Sequence, residues 1–339
     1  MNLQDYLDQV IDYLNEGLCV TVPGWQLDQP VRVEPLAQGE YNLNYRVIQA
    51  DRQWVLRVNV ATQIGLTDQI SYEYNTLCLL QDSGVTPCPY LCDNTLEHIP
   101  YGVLLMEYLP GEPLDYRRDP EAAAVVFARI HSQPINQDVN HLIQEEMPLS
   151  MTFEECIAML QVYMDSELAN PLITEYLSDV TAWAQEARHR ESYFISDPWP
   201  CVINTEVNSG NFIANRERGT LHLVDWEKPL WGDPSQDLSH FCVPTTTLWK
   251  TDYRMSTSGK RAFIDAYRHA IQDAHLRDTI EERVRLRDPF NCLRGISWSA
   301  KAWVTYQTGD HAVKNEDTFQ KINQYLDIDF LRSLFDSYI

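Results

Sequence analysis

The chain has no lysine before Lys228, and positive charge is scarce throughout: 26 lysines and arginines stand against 49 aspartates and glutamates, a formal net charge of −23. A field of that sign repels a phosphate backbone, whose counterions only basic side chains displace, so a nucleic acid partner is not expected. It draws small cations instead, although an acidic surface also serves solubility alone. Any fixed cation needed in the first two-thirds of the chain must be an arginine. Long apolar runs are absent as well. None approaches the roughly 18 residues that cross a bilayer, so a membrane partner is not expected either. The eight cysteines lie singly, and only Cys88 and Cys92 are close, without a second pair or spaced histidines. They read as reduced core thiols, with no structural metal. The N-terminal stretch Met-Asn-Leu-Gln-Asp-Tyr-Leu-Asp carries acids where a secretory signal carries bases, and the expected location is the cytoplasm.

What is present organises itself around a change of period. At 339 residues the chain exceeds what one core usually arranges, and two lobes are expected. Val31 to Leu36, Leu43 to Ile48 and Trp54 to Val58 read as an antiparallel meander with turn residues between them. From Thr67 to Gln81 the spacing becomes helical, with Ile70, Tyr74, Leu77 and Leu80 on one stripe and Gly84 and Pro87 as the stop. Gly102 to Leu109 has the continuous apolar character of a buried strand, and Pro110-Gly111 breaks it. Beyond it the periodicity is helical over 120–132, 152–168, 171–190, 259–275, 278–308 and 316–337. The exception is a hairpin, where Phe212-Ile-Ala and Leu221 to Trp226 flank the turn Asn215 to Gly219.

Glu206, Asn211 and Asp225 fall on a loop, at the start of that hairpin and at its end, so its closure gathers them at one end. Magnesium takes oxygen ligands, one or two carboxylates completed by phosphate oxygens and water, and an Asn carbonyl with an Asp carboxylate suits it. The bland alternative is a solvated loop capped by Asn and Asp side chains. Glu73 is a second unusual acid. It falls between Ile70 and Leu77 on an apolar helix stripe, and an acid facing inward needs a cation, since an unpaired buried charge costs several kcal/mol. Arg57, on the third strand, is the candidate; by itself it is also readable as an exposed strand arginine.

Three segments together carry a resemblance. Val202-Ile-Asn-Thr-Glu-Val-Asn-Ser-Gly-Asn-Phe-Ile, Leu223-Val-Asp-Trp-Glu and Gly232-Asp-Pro-Ser-Gln-Asp-Leu-Ser-His-Phe are similar, in order and spacing, to the aminoglycoside phosphotransferase and choline kinase-like family. In the N-terminal half, Leu36-Ala-Gln-Gly-Glu-Tyr-Asn-Leu-Asn-Tyr-Arg-Val resembles that family's phosphate-covering loop, Trp54-Val-Leu-Arg-Val its third strand and Gly102 to Leu114 its hinge. The resemblance spans about 30–245.

The resemblance implies an α+β, bilobal protein-kinase-like fold. A β-rich N-lobe with one main helix would occupy 1–109, and a larger helical C-lobe with the catalytic hairpin 110–339. It further implies ATP, with GTP as an alternative, clamped between the lobes with magnesium, and transfer of the terminal phosphoryl to a hydroxyl of a small cationic molecule, an amine-bearing alcohol. Phosphoryl transfer asks a protein mainly for positioning and charge neutralisation. Carried over to this chain, Gly39 lies in the covering turn, Arg57 with Glu73 serves the phosphates, and the backbone from Glu107 to Leu109 meets the adenine edge beside Met106. Asn211 and Asp225 hold the metal, and Glu206 faces the nucleophile. Asp237 is expected to hold backbone near that loop, and His131 to be a packed helix residue.

Two positions depart from the family pattern, which begins with histidine and has aspartate where Glu206 stands; here the segment reads Asn204-Thr205-Glu206. Glutamate adds a methylene, moving its carboxylate about 1.5 Å from the backbone, and a misplacement of about 1 Å can cost on the order of 100-fold. A positioned base contributes only about 10² to 10⁴-fold, so turnover survives imperfect placement. A pseudokinase that binds nucleotide or a protein partner without transfer is the alternative, and a metal-assisted hydrolase using Glu206 and Asp225 a more distant one.

Overall fold

The computed structural model describes residues 3–16, 18–39, 41–62, 64–136, 140–309 and 316–339. The fold is α+β, with a β-sheet in the N-terminal region and helices dominating the C-terminal region. It divides into two compact units. The first comprises Met1–Leu114, Gln133–Ile143 and Asn211–Pro229, and the second Asp115–Ser132, Gln144–Gly210 and Leu230–Ile339.

In the first unit an antiparallel five-stranded sheet runs in the order Arg32–Gln38, Asn42–Gln49, Arg52–Asn59, Gly102–Glu107, Pro89–Asp93. Asn42–Gln49 alternates as the sequence predicts, and Leu43, Tyr45 and Val47 are buried. The next two strands across the sheet, Arg52–Asn59 and Gly102–Glu107, are buried almost continuously. These side chains close a core with Val10, Tyr13 and Leu14 of the N-terminal helix Leu7–Asn15. The edge strand Pro89–Asp93 has no counterpart in the sequence reading. Proline, cysteine and aspartate give it no strand signal, and an edge is where a residue lacking an N–H is tolerated.

The helix expected over 67–81 spans Gln69–Leu80 and starts at Asp68, whose carboxylate accepts from the Ser71 N–H at 3.1 Å. Gly84, with φ 64, ends the following turn in the left-handed region. Tyr72 rather than Tyr74 lies on the buried side, together with Ile70, Glu73, Thr76, Leu77 and Leu80. Phe212–Asn215 and Thr220–Leu223 form the expected hairpin, joined on one side by the short strand Glu112–Pro113.

The second unit is built on a 35-residue helix, Ala274–Thr308, against which Pro148–Met164 and Ser235–Cys242 pack. Helices Pro120–His131, Pro148–Met164 and Pro171–Ala187 all begin with proline, whose missing N–H is not needed in a first turn. The single helix expected over 316–337 is two, Glu316–Tyr325 and Ile328–Phe335, because the Asp327 carboxylate accepts from the N–H groups of Asp329 and Phe330 and starts a second helix. A short antiparallel pairing of Cys201–Ile203 with Leu230–Gly232 sets Ile203 opposite Leu230 and Cys201 opposite Gly232. Among the described residues, no helix is long and apolar enough to cross a membrane.

Candidate active site

The register of the sheet puts Arg57 between Asn44 and Leu104. Its Nε donates to Asn44 Oδ1 at 3.0 Å, which fixes the plane of the guanidinium. One terminal nitrogen then donates to Glu73 Oε1 at 2.5 Å and to Asp225 Oδ1 at 3.0 Å. The Arg57 and Glu73 side chains are 7% and 2% exposed, so this pair is charged in a setting where neither partner is tolerable alone. Burial opposes the charge of Arg57, but the carboxylates of Glu73, Asp225 and Glu227 outweigh it and raise the guanidinium above its ordinary value. Burial pushes the Glu73 carboxyl upward, and Arg57 offsets only part of that rise.

Asp225 follows the last strand of the hairpin with φ 65, a left-handed conformation that aspartate tolerates better than most residues. The turn around it is pinned: Trp226, fully buried, donates from its indole to Leu223 O at 3.0 Å, and the Leu223 N–H donates to Val85 O at 2.9 Å. At the other strand, the Val224 N–H donates to Asn211 O at 2.8 Å, continuing the register that pairs Phe212 with Leu223. Asn211 and Asp225 therefore sit at the same end of the hairpin.

Beside the Arg57–Glu73 pair, Asp225 stands at the hairpin end with Asn211, and Glu227, two residues on, is engaged by the Asn42 side chain. The donors are all oxygen and include no histidine or cysteine, the chemistry a magnesium ion accepts and a zinc ion does not prefer. Among the described residues, no three His, Cys, Asp or Glu side chains form a metal cage by themselves. A magnesium site here would have to be completed by phosphate oxygens and water, which is how that ion is usually held.

The remaining candidates of the first unit lie at two places. Gly39 donates its N–H to Asn42 O at 2.9 Å, closing a turn, and a Cβ there would meet only that oxygen at 3.7 Å, so backbone geometry alone does not demand glycine. Glu40 lies outside the described residues. Met106 is buried across from Val55. The Glu107 N–H donates to Cys88 O at 2.8 Å, and its carboxylate accepts from the Cys88 N–H at 3.2 Å, so the N–H of this residue is committed to the sheet. Leu109 stands just past the strand, before Pro110, whose carbonyl accepts from the Asn215 side chain at 2.9 Å.

Glu206 belongs to the second unit, on a loop that is held tightly. The Asp237 carboxylate, fully buried, accepts from the N–H groups of Asn204 and Thr205, both at 2.8 Å. Its third partner is His131, at 3.4 Å, which also bonds the Tyr267 hydroxyl at 3.0 Å and is packed inside its helix bundle. Thr205 has φ 71, a rare conformation for a β-branched residue and one that persists only when its surroundings over-determine it. The Asn204 side-chain oxygen accepts from the Glu206 N–H at 3.0 Å, so asparagine here orders the backbone of the residue that follows. Arg294 donates to Thr205 O at 3.1 Å and to Glu155 at 3.0 Å, and its guanidinium lies 3.9 Å from the half-buried Glu206 carboxylate.

The structure thus brings Arg57, Glu73 and Asp225 together, sets Asn211 beside them through the hairpin, and leaves Glu206 on its own ordered loop. Sequence reasoning missed Asn42, Asn44, Glu227 and Arg294. The first three lie inside segments it quoted, Asn42 and Glu227 beside turns and Asn44 as a polar position of a strand; Arg294 gave no signal, being one arginine among several on a long helix.

The model of the phosphotransferase enzyme family matches residues 32–286. No curated protein matches the chain in sequence. Solved structures share its fold at low identity. An ethanolamine kinase of Plasmodium vivax is 14% identical, with 98% of this chain and 91% of that one covered and a TM-score of 0.66. A choline kinase of Cryptosporidium parvum is 12% identical over 97% and 96%, at 0.66. A spectinomycin phosphotransferase in complex with ADP and spectinomycin is 12% identical over 96% of each chain, at 0.62.

Proposed function

The chain belongs to the phosphotransferase enzyme family, as a small-molecule kinase, and from that premise we propose that it transfers the terminal phosphoryl of ATP, with magnesium, to a hydroxyl of a small, amine-bearing alcohol. The observation that carries the reading is the convergence of Arg57, Glu73 and Asp225, from a strand, a helix and the end of a hairpin, with Asn211 at that same hairpin end. In this reading Arg57 serves the phosphate oxygens while Glu73 holds its guanidinium in place, and arginine keeps its charge in that buried setting. Asn211 and Asp225 would hold magnesium, which when bound neutralises charge on the phosphates. Glu206 orients the acceptor hydroxyl and takes its proton. The Gly39 turn covers the phosphates, and Met106, the Glu107 carbonyl and the Leu109 N–H face adenine.

Nucleotide use is supported by the ADP-bound spectinomycin phosphotransferase of the same fold, and the amine-bearing acceptor by ethanolamine and choline kinases among its neighbours and by the net charge of −23. The lobe boundary near Leu109 and Pro110 and a cytoplasmic location belong to the same proposal. Thermal shift with ATP, with and without magnesium, tests the nucleotide site, since a ligand of the native state raises stability by mass action. A screen of amine-bearing alcohols for ADP release then identifies the acceptor. No stabilisation at millimolar ATP removes the reading; stabilisation without transfer to any alcohol turns it into that of a pseudokinase.

A further inference from the structure

Asn42 is 4% exposed, at the start of the second strand, and both ends of its side-chain amide are used. Its nitrogen donates to the Glu227 carboxylate, a contact spanning 185 residues of sequence, and its oxygen accepts from the Asn59 side chain at 2.9 Å. Its backbone carbonyl accepts from the Gly39 N–H at 2.9 Å. One residue therefore closes the turn at Gly39 and grips the residue two places beyond Asp225. The segment after Asp225 is tied down twice more: Gln69 donates to Glu227 O at 2.6 Å, with its own oxygen accepting from Thr62 at 2.7 Å, and the Tyr72 hydroxyl donates to Pro229 O at 2.7 Å. Of these three contacts among the described residues, it is the Asn42 one that runs to the turn.

We propose that Asn42 is a positioning residue that, through Glu227, makes the Gly39 turn and the Asp225 segment move as one, so that the backbone over the phosphates and the carboxylate facing the metal are set together. This rests on the phosphotransferase reading above. Only an amide fits the position. It must donate toward a carboxylate and accept from an amide at once; an aspartate would set two carboxylates against each other, and an alanine would remove the bonds to both Glu227 and Asn59.

The test measures ATP dissociation constants by calorimetry, with and without magnesium, alongside unliganded melting temperatures, for the wild type, Asn42→Ala, Asn42→Asp, and Asn42→Asp combined with Glu227→Gln. Losing a hydrogen bond to a charged group weakens magnesium-ATP binding by about tenfold or more in Asn42→Ala. Magnesium-free ATP loses less, a split that general loosening of the fold does not produce. Asn42→Asp is at least as impaired, because it sets a carboxylate against the Glu227 carboxylate. The double variant restores an amide against a carboxylate with the roles exchanged, and returns binding to near that of the wild type. The inference is overturned if a folded Asn42→Ala binds magnesium-ATP as the wild type does, or if the double variant melts normally and stays impaired. Absence of ATP binding in the wild type brings down the phosphotransferase reading itself, and this proposal with it.

Discussion

Arg57 donates a hydrogen bond of 3.0 Å to Asp225, 168 residues further along the chain. The same nitrogen serves Glu73, so one guanidinium orders a helix acid and a hairpin-end acid at once. A lysine would present a point charge in its place; the planar fork, fixed by Asn44 through Nε, holds direction as well as charge. With no lysine before Lys228, the chain has placed this function on Arg57, the one strand arginine among the described residues whose side chain is buried.

Replacing Arg57 with alanine strands Glu73 in an apolar setting, and breaking a buried pair by removing one partner costs about 3–5 kcal/mol. Glu73→Gln in the same background recovers part of that loss, because the orphaned charge goes with it. Urea denaturation of the two variants and of the pair together checks both signs. An Arg57→Ala protein as stable as the wild type contradicts the buried pairing.

Asp225→Asn keeps the size and left-handed tolerance of the residue while removing its charge. Magnesium-dependent transfer falls by about 10³-fold or more, on the scale of losing a principal electrostatic group in a dry site. ATP stabilisation in the absence of magnesium changes little. Initial rates across a magnesium titration separate the two, and an undiminished rate refutes the metal assignment.

Glu206→Ala lowers kcat by about 10² to 10⁴-fold, the usual contribution of a positioned base, with little change in the KM for ATP. Glu206→Asp retains measurable turnover, since the loop that carries it is set by Asp237 and Asn204 and not by the length of the side chain. A Glu206→Ala enzyme with wild-type kcat removes the residue from the chemistry.

Stability declines on mild acidification through two histidines. Burial lowers His141 below its ordinary value, with the Tyr72 carbonyl, 3.0 Å from its Nε2, pulling it partly back, and burial lowers His222 against the field of Glu107. A lowered value in the fold means that the unfolded chain binds more protons below about pH 6.5, so stability rises with pH there and is lost as pH falls. Replacing both with glutamine flattens the dependence of melting temperature between pH 7 and pH 5.5. An equally steep fall in the double variant assigns the acid sensitivity elsewhere.

Much of this was legible in the sequence, for reasons that can be traced residue by residue. The meander showed because Leu43, Tyr45 and Val47 alternate with polar neighbours on a sheet with one wet face. The Arg57–Glu73 pair showed because an acid on an apolar helix stripe demands a partner. The edge strand Pro89–Asp93 did not, since it borrows its structure from Gly102–Glu107. Asn42 and Glu227 did not, because a polar residue beside a turn is ordinarily solvated, and nothing local reports a partner 185 residues away. Arg294 is hidden by Arg283, Arg285 and Arg287 in the same helix, two of which are fully buried in unrelated ion pairs with Asp233 and Glu145.

Asp237 gives the sharpest separation of architecture from chemistry. Its carboxylate is completely buried and takes the N–H groups of Asn204 and Thr205 on separate oxygens, and Thr205 is held at φ 71, where a β-branched residue does not stay unaided. Asp237→Asn keeps one acceptor but turns an amide NH₂ toward the other N–H, losing a charge-assisted bond worth about 1.5–3 kcal/mol. Released, Thr205 relaxes toward a commoner conformation and carries Glu206, the next residue, with it. A shift of about 1 Å there costs on the order of 100-fold in kcat. The Arg57 constellation is held by its own partners, Asn44, Glu73 and Asp225, so the KM for ATP stays near that of the wild type. A variant that loses stability and ATP affinity together, with kcat intact, shows that Asp237 supports the fold alone.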